Sequence, residues 1–259
     1  MSAAELTNLS ADERHKLVSV PIDGQGMKTL LEAGMVWLKT NQQNVNSLNV
    51  FPVPDGDTGT NMVLTMQAAF DEVENSGVGN VGKLAHAIAR GALLGARGNS
   101  GVILSQIWRG FARALDDEEV MTVDLLAAAL EEAKETAYKG VVRPVEGTIL
   151  TVIKDIAAQA EVSAQRTSSF TEVLADIVEA AEASVERTPD LLPILKQAGV
   201  VDSGGKGLLC IFEGMWRFIN GEPLDKAVTE VMPLSEMNLD DALETVEPGQ
   251  DYEVVIDFK

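Results

Sequence analysis

The chain has 259 residues, with 40 Asp and Glu against 20 Lys and Arg, so its formal net charge at pH 7 is −20. Because affinity for a phosphate backbone comes mainly from Lys and Arg, this balance excludes a nucleic-acid-binding protein and an anionic membrane surface as a partner. Hydrophobic residues make up 46% of the chain and aromatic residues 5%. This composition favours a helix-rich core over a β-sandwich.

The number of cysteines and the lack of long apolar runs in the sequence indicate where in the cell the protein is expected. The single cysteine, Cys210, lies in an apolar segment, which excludes an intrachain disulfide and predicts a buried packing residue rather than a nucleophile. The N-terminus lacks a signal-peptide pattern, and no apolar run reaches the roughly 20 residues that a membrane span requires. We therefore expect a cytoplasmic protein without stable membrane insertion.

Apolar residues recur at intervals of three and four over most of the first 220 residues, which predicts amphipathic helices. Almost no period-2 alternation, the pattern of strands, interrupts them. We therefore expect an all-α domain of eight or nine helices. The predicted helical stretches lie around 27–38, 60–74, 81–94, 102–111, 125–133, 149–160, 173–181, 190–198 and 208–219.

The composition changes after Asn220. The remaining 39 residues carry eleven acidic and two basic side chains, a net charge of −9, and their last residues alternate in part as a β-strand does. A lone strand cannot satisfy its own edges, so we expect it to begin a further domain. The predicted organisation is an N-terminal extension, a helical domain, an acidic linker and the start of a following domain, at 1–24, 25–220, 221–250 and 251–259.

The most informative segment is NVFPVPDGDTGTNM, from Asn49 to Met62. Its two prolines stiffen the chain before Asp55, and the carboxylates of Asp55 and Asp57, two positions apart on extended backbone, point the same way. Such a pair repels unless a cation lies between them, and oxygen ligands with few protein groups are typical of Mg²⁺. Thr58 then begins a helix whose free amides favour an anion. The segment predicts a magnesium-phosphate site; a capped polar turn is the alternative.

Three further segments place glycine at predicted helix starts, where backbone amides could receive phosphate. Each one alone is typical of a turn between helices, but four on one domain indicate a single rim built of interhelical loops. The segment Val200–Gly207 is not a Walker loop, because no Ser or Thr follows Lys206 and a helix precedes it. The three segments are Gly95–Gly101, Arg143–Thr148 and Val200–Gly207.

Together the four motifs resemble the nucleotide-binding domain of bacterial fatty acid kinase, which belongs with the ADP-binding subunit of dihydroxyacetone kinase, the DhaL-like family. The resemblance covers about residues 25–220. It implies a closed barrel of about eight antiparallel helices, with Mg²⁺ and ATP or ADP held on the loops at one end.

The resemblance also implies roles for the residues at matching positions. Asp55 and Asp57 would be the catalytic metal ligands. The dihydroxyacetone kinase subunit has a third metal-binding Asp five residues before this pair, where Val50 stands here, and Asn49 would replace it as a neutral ligand. Thr58, Gly59 and Asn61 would line the phosphates, Asn99, Ser100 and Gly101 would meet the β- and γ-phosphates, and Thr148, Asp202 and Gly204 would close the nucleotide pocket.

The function implied by the resemblance is transfer of the γ-phosphoryl group of ATP to a fatty acid carboxylate presented by a fatty-acid-binding partner protein. The alternatives are a hydroxyketone kinase of the dihydroxyacetone type and a nucleotide-binding regulatory module without turnover; a homodimer is left open. His86, on a helical pattern, is expected to be a core or interface residue. A carboxylate acceptor needs no general base, so catalysis would depend on positioning and charge neutralisation. Because fatty acid kinases of this type carry further domains, we expect this chain alone to bind ATP and to phosphorylate poorly.

Overall fold

The computed structural model describes residues 6, 9–18 and 21–225 of the chain. These ranges form eleven helices and no strand, apart from one antiparallel bridge between Ile22 and Met121. The helices are α1 (Ala11–Leu17), α2 (Gly24–Thr40), α3 (Gln42–Ser47), α4 (Thr58–Asp71), α5 (Val81–Gly95), α6 (Gly98–Arg113), α7 (Val123–Lys139), α8 (Ile149–Arg166), α9 (Phe170–Leu191), α10 (Pro193–Ala198) and α11 (Ser203–Asn220).

The all-α prediction is confirmed. The described helices outnumber the predicted eight or nine because two short helices, α1 and α3, lie outside the predicted stretches, whereas the short α10 lies within the predicted stretch at 190–198. The predicted strand at 251–259 and all but the first five residues of the predicted acidic linker lie outside the described residues. None of the described helices combines the length and apolar character needed to cross a membrane.

The eight longer helices form a ring of neighbours. Each packs against the next long helix along the chain, and α11 packs against both α9 and α2, which closes the ring. Their apolar stripes meet in one buried cluster. Cys210 lies in that cluster, and burial raises the pKa of its thiol to about 12, as expected of a packing cysteine.

The contact between α2 and α11 depends on glycine. A Cβ atom added to Gly214 would lie 2.6 Å from the carbonyl oxygen of Ala33 and 2.6 Å from Cβ of Trp37. Real Cβ atoms do not approach other atoms this closely, so the two backbones are in direct contact at this crossing. The contact between α2 and α11 that closes the ring therefore requires glycine at position 214.

The starts of the long helices fall into two groups. Six of them have an N-cap side chain that accepts a hydrogen bond from the first turn: α2, α5, α7, α8, α9 and α11. The remaining two, α4 and α6, begin after Asp57 and Arg97, whose side chains make no capping hydrogen bond. A side-chain cap normally satisfies amides that the helix leaves unpaired. The two exceptions both begin at predicted site motifs.

A small second cluster connects the first site motif to the last. Val50 packs with Leu195, Ala198 and Val200 in a buried group separate from the main core. This contact fixes the segment before Asp55 against α10 and the turn that leads into α11. It thereby brings the start of α4 and the start of α11 to the same end of the ring.

Candidate functional site

The four motifs surround one cavity of about 260 Å³ at this end of the ring. The prediction that they form a single rim is confirmed. Ten of the twelve residues predicted for the site line the cavity: Asn49, Asp55, Asp57, Thr58, Asn61, Asn99, Ser100, Thr148, Asp202 and Gly204.

The other two, Gly59 and Gly101, lie beneath the rim rather than at the cavity surface. A Cβ atom at Gly59 would come within 2.4 Å of the carbonyl oxygen of Gln42, and one at Gly101 within 2.4 Å of Oγ1 of Thr65. These glycines allow α3 and α6 to approach α4 closely. The structure thus gives them a packing role, and their contact with nucleotide stays a prediction.

Asp55 and Asp57 lie side by side at the cavity, as their spacing predicts. Burial, a hydrogen bond with the Asp57 carboxyl group and the charge of Asp57 together raise the pKa of Asp55. A cation between the two groups would remove this repulsion. No described cluster of three or more His, Cys, Asp or Glu residues is arranged to hold a metal. Two adjacent carboxylates suit an ion that takes few protein ligands and completes its shell with water and phosphate oxygens, as Mg²⁺ does.

Asn49 is buried, with 2% of its surface exposed, and both ends of its side-chain amide are engaged. Its Nδ2 donates to the carbonyl oxygen of Val53 at 2.8 Å. Its Oδ1 accepts from the backbone amides of Asp57 at 3.2 Å and Thr58 at 3.3 Å. The metal-ligand role implied by the family resemblance would require Oδ1 to give up these amides.

The expectation that α4 presents free amides to an anion is wrong for two of its first three residues. The amide of Thr58 donates to Asn49, and the amide of Thr60 donates to Oδ1 of Asn46 at 3.0 Å. The hydroxyl of Thr58 is also engaged, because it accepts from Oγ of Ser203 at 3.2 Å. The first turn of α4 is thus largely committed to contacts within the protein.

The start of α6 has the opposite character. Its first intrahelical bond runs from the Gly101 amide to the Arg97 carbonyl oxygen at 3.0 Å. The amides of Gly98, Asn99 and Ser100 precede that bond and have no hydrogen-bond acceptor among the described residues, and all three residues line the cavity. Unpaired amides at a helix start, together with the helix dipole, attract anions. The arrangement can hold phosphate oxygens in the cavity that the carboxylate pair also lines.

Asp202 connects two helix starts in the cavity wall. Its Oδ2 accepts from the Gly205 amide at 2.6 Å in α11, and the carboxyl group also accepts from the Ile149 amide in α8. Only 5% of the residue is exposed, and burial raises the pKa of its carboxyl group to about 7. Thr148 caps α8 beside it, accepting from the Leu150 amide at 3.3 Å. Both residues thus shape the wall as well as line it.

Arg143 is a site residue for which sequence reasoning gave no role. It is the only Lys or Arg among the described residues that line the cavity, and its side chain is exposed. Its place in the Arg143–Thr148 motif was the available signal. The apolar wall formed by Ile103, Val141 and Leu150 had no signal, because Ile103 and Leu150 also fit ordinary core stripes and Val141 is a single apolar residue in a loop.

His86 does not belong to the site. Its side chain is half exposed and pairs with Asp116 on the surface. The core alternative for His86 is therefore wrong, because the apolar stripe of α5 runs through Leu84, Ala85 and Ile88 on the other face; the interface alternative stays a prediction.

Comparison with known proteins agrees with this architecture. The DAK2 domain matches residues 52–217. Uncharacterized proteins from Staphylococcus aureus strains USA300 and N315 are 48% identical over 210 residues, which are 81% of this chain and 38% of those proteins. This chain thus spans well under half the length of these relatives.

Two solved structures of the dihydroxyacetone kinase from C. freundii share the fold. The complex with AMP-PNP and Mg²⁺ is 20% identical with a TM-score of 0.56, covering 73% of this chain and 33% of that chain. The native form is 21% identical with a TM-score of 0.53, covering 73% and 34%. With the domain match and the shared helical architecture, the chain belongs to the DAK2 domain family.

Proposed function

We propose that this chain binds ATP with Mg²⁺ and transfers the γ-phosphoryl group to the carboxylate of a fatty acid presented by a fatty-acid-binding partner protein. One observation carries the proposal: a single cavity holds the Asp55–Asp57 pair and the unpaired amides at the start of α6. A carboxylate pair suits a divalent cation, and the amides suit phosphate oxygens. The bound AMP-PNP and Mg²⁺ in the C. freundii kinase support the same assignment here.

The residues of the cavity divide by chemistry. Asp55 and Asp57 would hold Mg²⁺, which supplies charge neutralisation for the triphosphate when bound. Asn61 and the amides at the start of α6 would contact the phosphates. The wall that contains Thr148 and Gly204, with its apolar neighbours, would hold the nucleoside.

The transfer itself needs little from the protein beyond position. An oxygen of the acceptor carboxylate forms a bond to the γ-phosphorus while the bond from that phosphorus to the β,γ-bridging oxygen breaks, and ADP leaves with the electron pair. The products are an acyl phosphate and ADP. A carboxylate is already ionised at neutral pH, so no proton has to be removed, and the described lining of the cavity contains no histidine. A hydroxyl acceptor, in contrast, would have to give up its proton to a base during the transfer.

Calorimetry of ATP with and without Mg²⁺ tests the first step. We expect Asp57→Ala to lose the Mg²⁺-dependent part of ATP binding. Asp71→Ala is the matched control, because Asp71 ends α4 at the far end from the cavity. Equal Mg²⁺-dependent affinity in wild type and Asp57→Ala would refute the metal assignment.

A transfer assay tests the second step. The chain is incubated with ATP, Mg²⁺ and a fatty-acid-loaded binding protein, and acyl phosphate is trapped with hydroxylamine. We expect slow formation of acyl phosphate that Asp57→Ala abolishes. Phosphorylation of dihydroxyacetone instead would support the hydroxyketone alternative. Tight ATP binding with neither product would support the regulatory module.

A further inference from the structure

Helix α4 begins in the carboxylate loop, yet its N-cap carboxylate does not cap it. An N-cap Asp usually accepts a hydrogen bond from an amide two or three residues later, and Asp57 makes no such bond. The amides of Asp57 and Thr58 donate instead to Oδ1 of Asn49, and the amide of Thr60 donates to Oδ1 of Asn46. Two asparagines from earlier in the chain thus accept from three of the amides at the start of α4.

Asn46 belongs to a contact that clamps α3 onto this turn. Its Nδ2 donates to Oγ1 of Thr60 at 3.0 Å, and Nε2 of Gln42 donates to the same oxygen at 3.0 Å. The absence of a side chain at Gly59 lets the two helices meet, since a Cβ there would also lie 2.9 Å from Oδ1 of Asn46. Asn46 does not line the cavity, so its influence on a ligand would have to pass through α4.

We propose that Asn46 and Asn49 are positioning residues, which take over the capping of α4 and thereby keep the carboxylates of Asp55 and Asp57 available to a divalent cation. This inference rests on the proposed function, because it assumes that the pair binds a metal. If Asp57 capped its own helix, amide donors would compensate its charge and turn its oxygens away from Asp55. Because the neutral side chains of Asn46 and Asn49 accept from the helix amides, these amides do not compete with a cation for the Asp57 carboxylate.

The hydrogen bonds of Asn49 explain why an amide suits this position. Its Nδ2 must donate to the Val53 carbonyl oxygen while its Oδ1 accepts from two backbone amides. An Asp side chain could accept but could not donate to Val53, and it would bury a third negative charge beside the existing pair. In this account Asn49 orients the ligands through the backbone that carries them, and it is not itself a ligand.

Binding of Mn²⁺ in the presence of ADP, followed by electron paramagnetic resonance of free Mn²⁺, separates the two roles of Asn49. We expect both Asn46→Ala and Asn49→Ala to weaken Mn²⁺ binding about tenfold or more, the range for residues that hold metal ligands in place. The matched control is Asn80→Ala, which deletes an equivalent cap (Oδ1 accepting from the Lys83 amide at 2.9 Å) at the start of α5, a helix start that does not line the cavity. It should lose stability and keep its Mn²⁺ affinity.

The outcomes are distinct. If wild type binds no Mn²⁺ with ADP, the proposed function itself fails. If wild type binds and Asn46→Ala binds equally well, the positioning role is refuted, and a loss confined to Asn49→Ala would make Asn49 a ligand. Asn46→Asp, which keeps an acceptor for the Thr60 amide, should restore binding. If circular dichroism shows that Asn46→Ala does not fold, Asn46→Gln replaces it as the test variant. Its longer side chain displaces the same amide group by one methylene, so we expect the same weakening of Mn²⁺ binding.

Discussion

Asp202 joins two helix starts and should make the stability of the protein depend on pH. The carboxyl group is 5% exposed and accepts from the amides of Gly205 and Ile149, but it has no cationic partner among the described residues. Desolvation disfavours the ionised form and the two amides favour it. Burial is the larger effect, so the pKa rises to about 7.

The sign and size of the effect follow from linkage. In the unfolded chain an Asp carboxyl group titrates near a pKa of about 3.9, roughly three units lower. At about 1.36 kcal/mol for each unit, Asp202 contributes about 4 kcal/mol of stability in its protonated form. Because the folded pKa is the higher one, this contribution is fully present below about pH 4 and is lost as pH rises to about 7.

Asp202→Asn tests this directly, because Asn keeps an oxygen to accept from the Gly205 amide and cannot ionise. Urea unfolding of ligand-free wild type and variant is measured between pH 4 and pH 8. We expect the wild type to lose up to about 4 kcal/mol relative to the variant over this interval. Asp190→Asn is the control, since Asp190 is 69% exposed and pairs with Lys196 in solvent. A constant difference between wild type and Asp202→Asn at every pH would refute the reasoning.

Three further predictions follow from the packing and the cavity. Gly214→Ala should cost about 1–3 kcal/mol in urea unfolding, because its Cβ would lie 2.6 Å from Ala33 and Trp37 atoms, while Gly77→Ala, with open space around it, should be neutral. The Mg²⁺ affinity should fall as pH is lowered, because protonation at the raised pKa of Asp55 removes a ligand; calorimetry showing pH-independent affinity would contradict this. Arg143→Ala should weaken ATP binding about tenfold, because one charge-assisted hydrogen bond is lost, and should leave the melting temperature unchanged. Equal ATP affinity of wild type and variant would exclude a phosphate contact.

Helix content and the location of the site were both predictable, for different reasons. A stripe of period 3.6 is a local property, so α6 and α11 could be read directly from their apolar spacing. The rim could be predicted because turn residues stood at four helix starts, and helix starts that face the same way meet at one end of a bundle. The short helices α1 and α3 have too few turns to produce a recognisable stripe.

The details within the rim depend on contacts that spacing does not encode. A glycine at a helix start has no Cβ, but sequence does not tell whether the vacant side faces a ligand or another helix; for Gly59 and Gly101 it faces a helix. Likewise, each helix start offers unpaired amides, but whether they stay unpaired depends on acceptors brought from elsewhere. Asn46 and Asn49 supply them to α4, and nothing equivalent reaches the start of α6 among the described residues.

The charges of the cavity explain how a chain of net charge −20 could hold a polyphosphate. Asp55, Asp57 and Asp202 line the cavity with Arg143 as their only basic counterpart in its described lining, and Asp202, with a pKa near 7, is only partly ionised at neutral pH. Free ATP, itself highly negative, would meet a site of the same sign. A divalent cation neutralises the charge of the carboxylate pair, and the α6 amides add positive potential that no change of pH removes. Affinity for nucleotide should therefore depend on the metal far more than on Arg143, and a larger loss of ATP affinity from Arg143→Ala than from removing Mg²⁺ would refute this order.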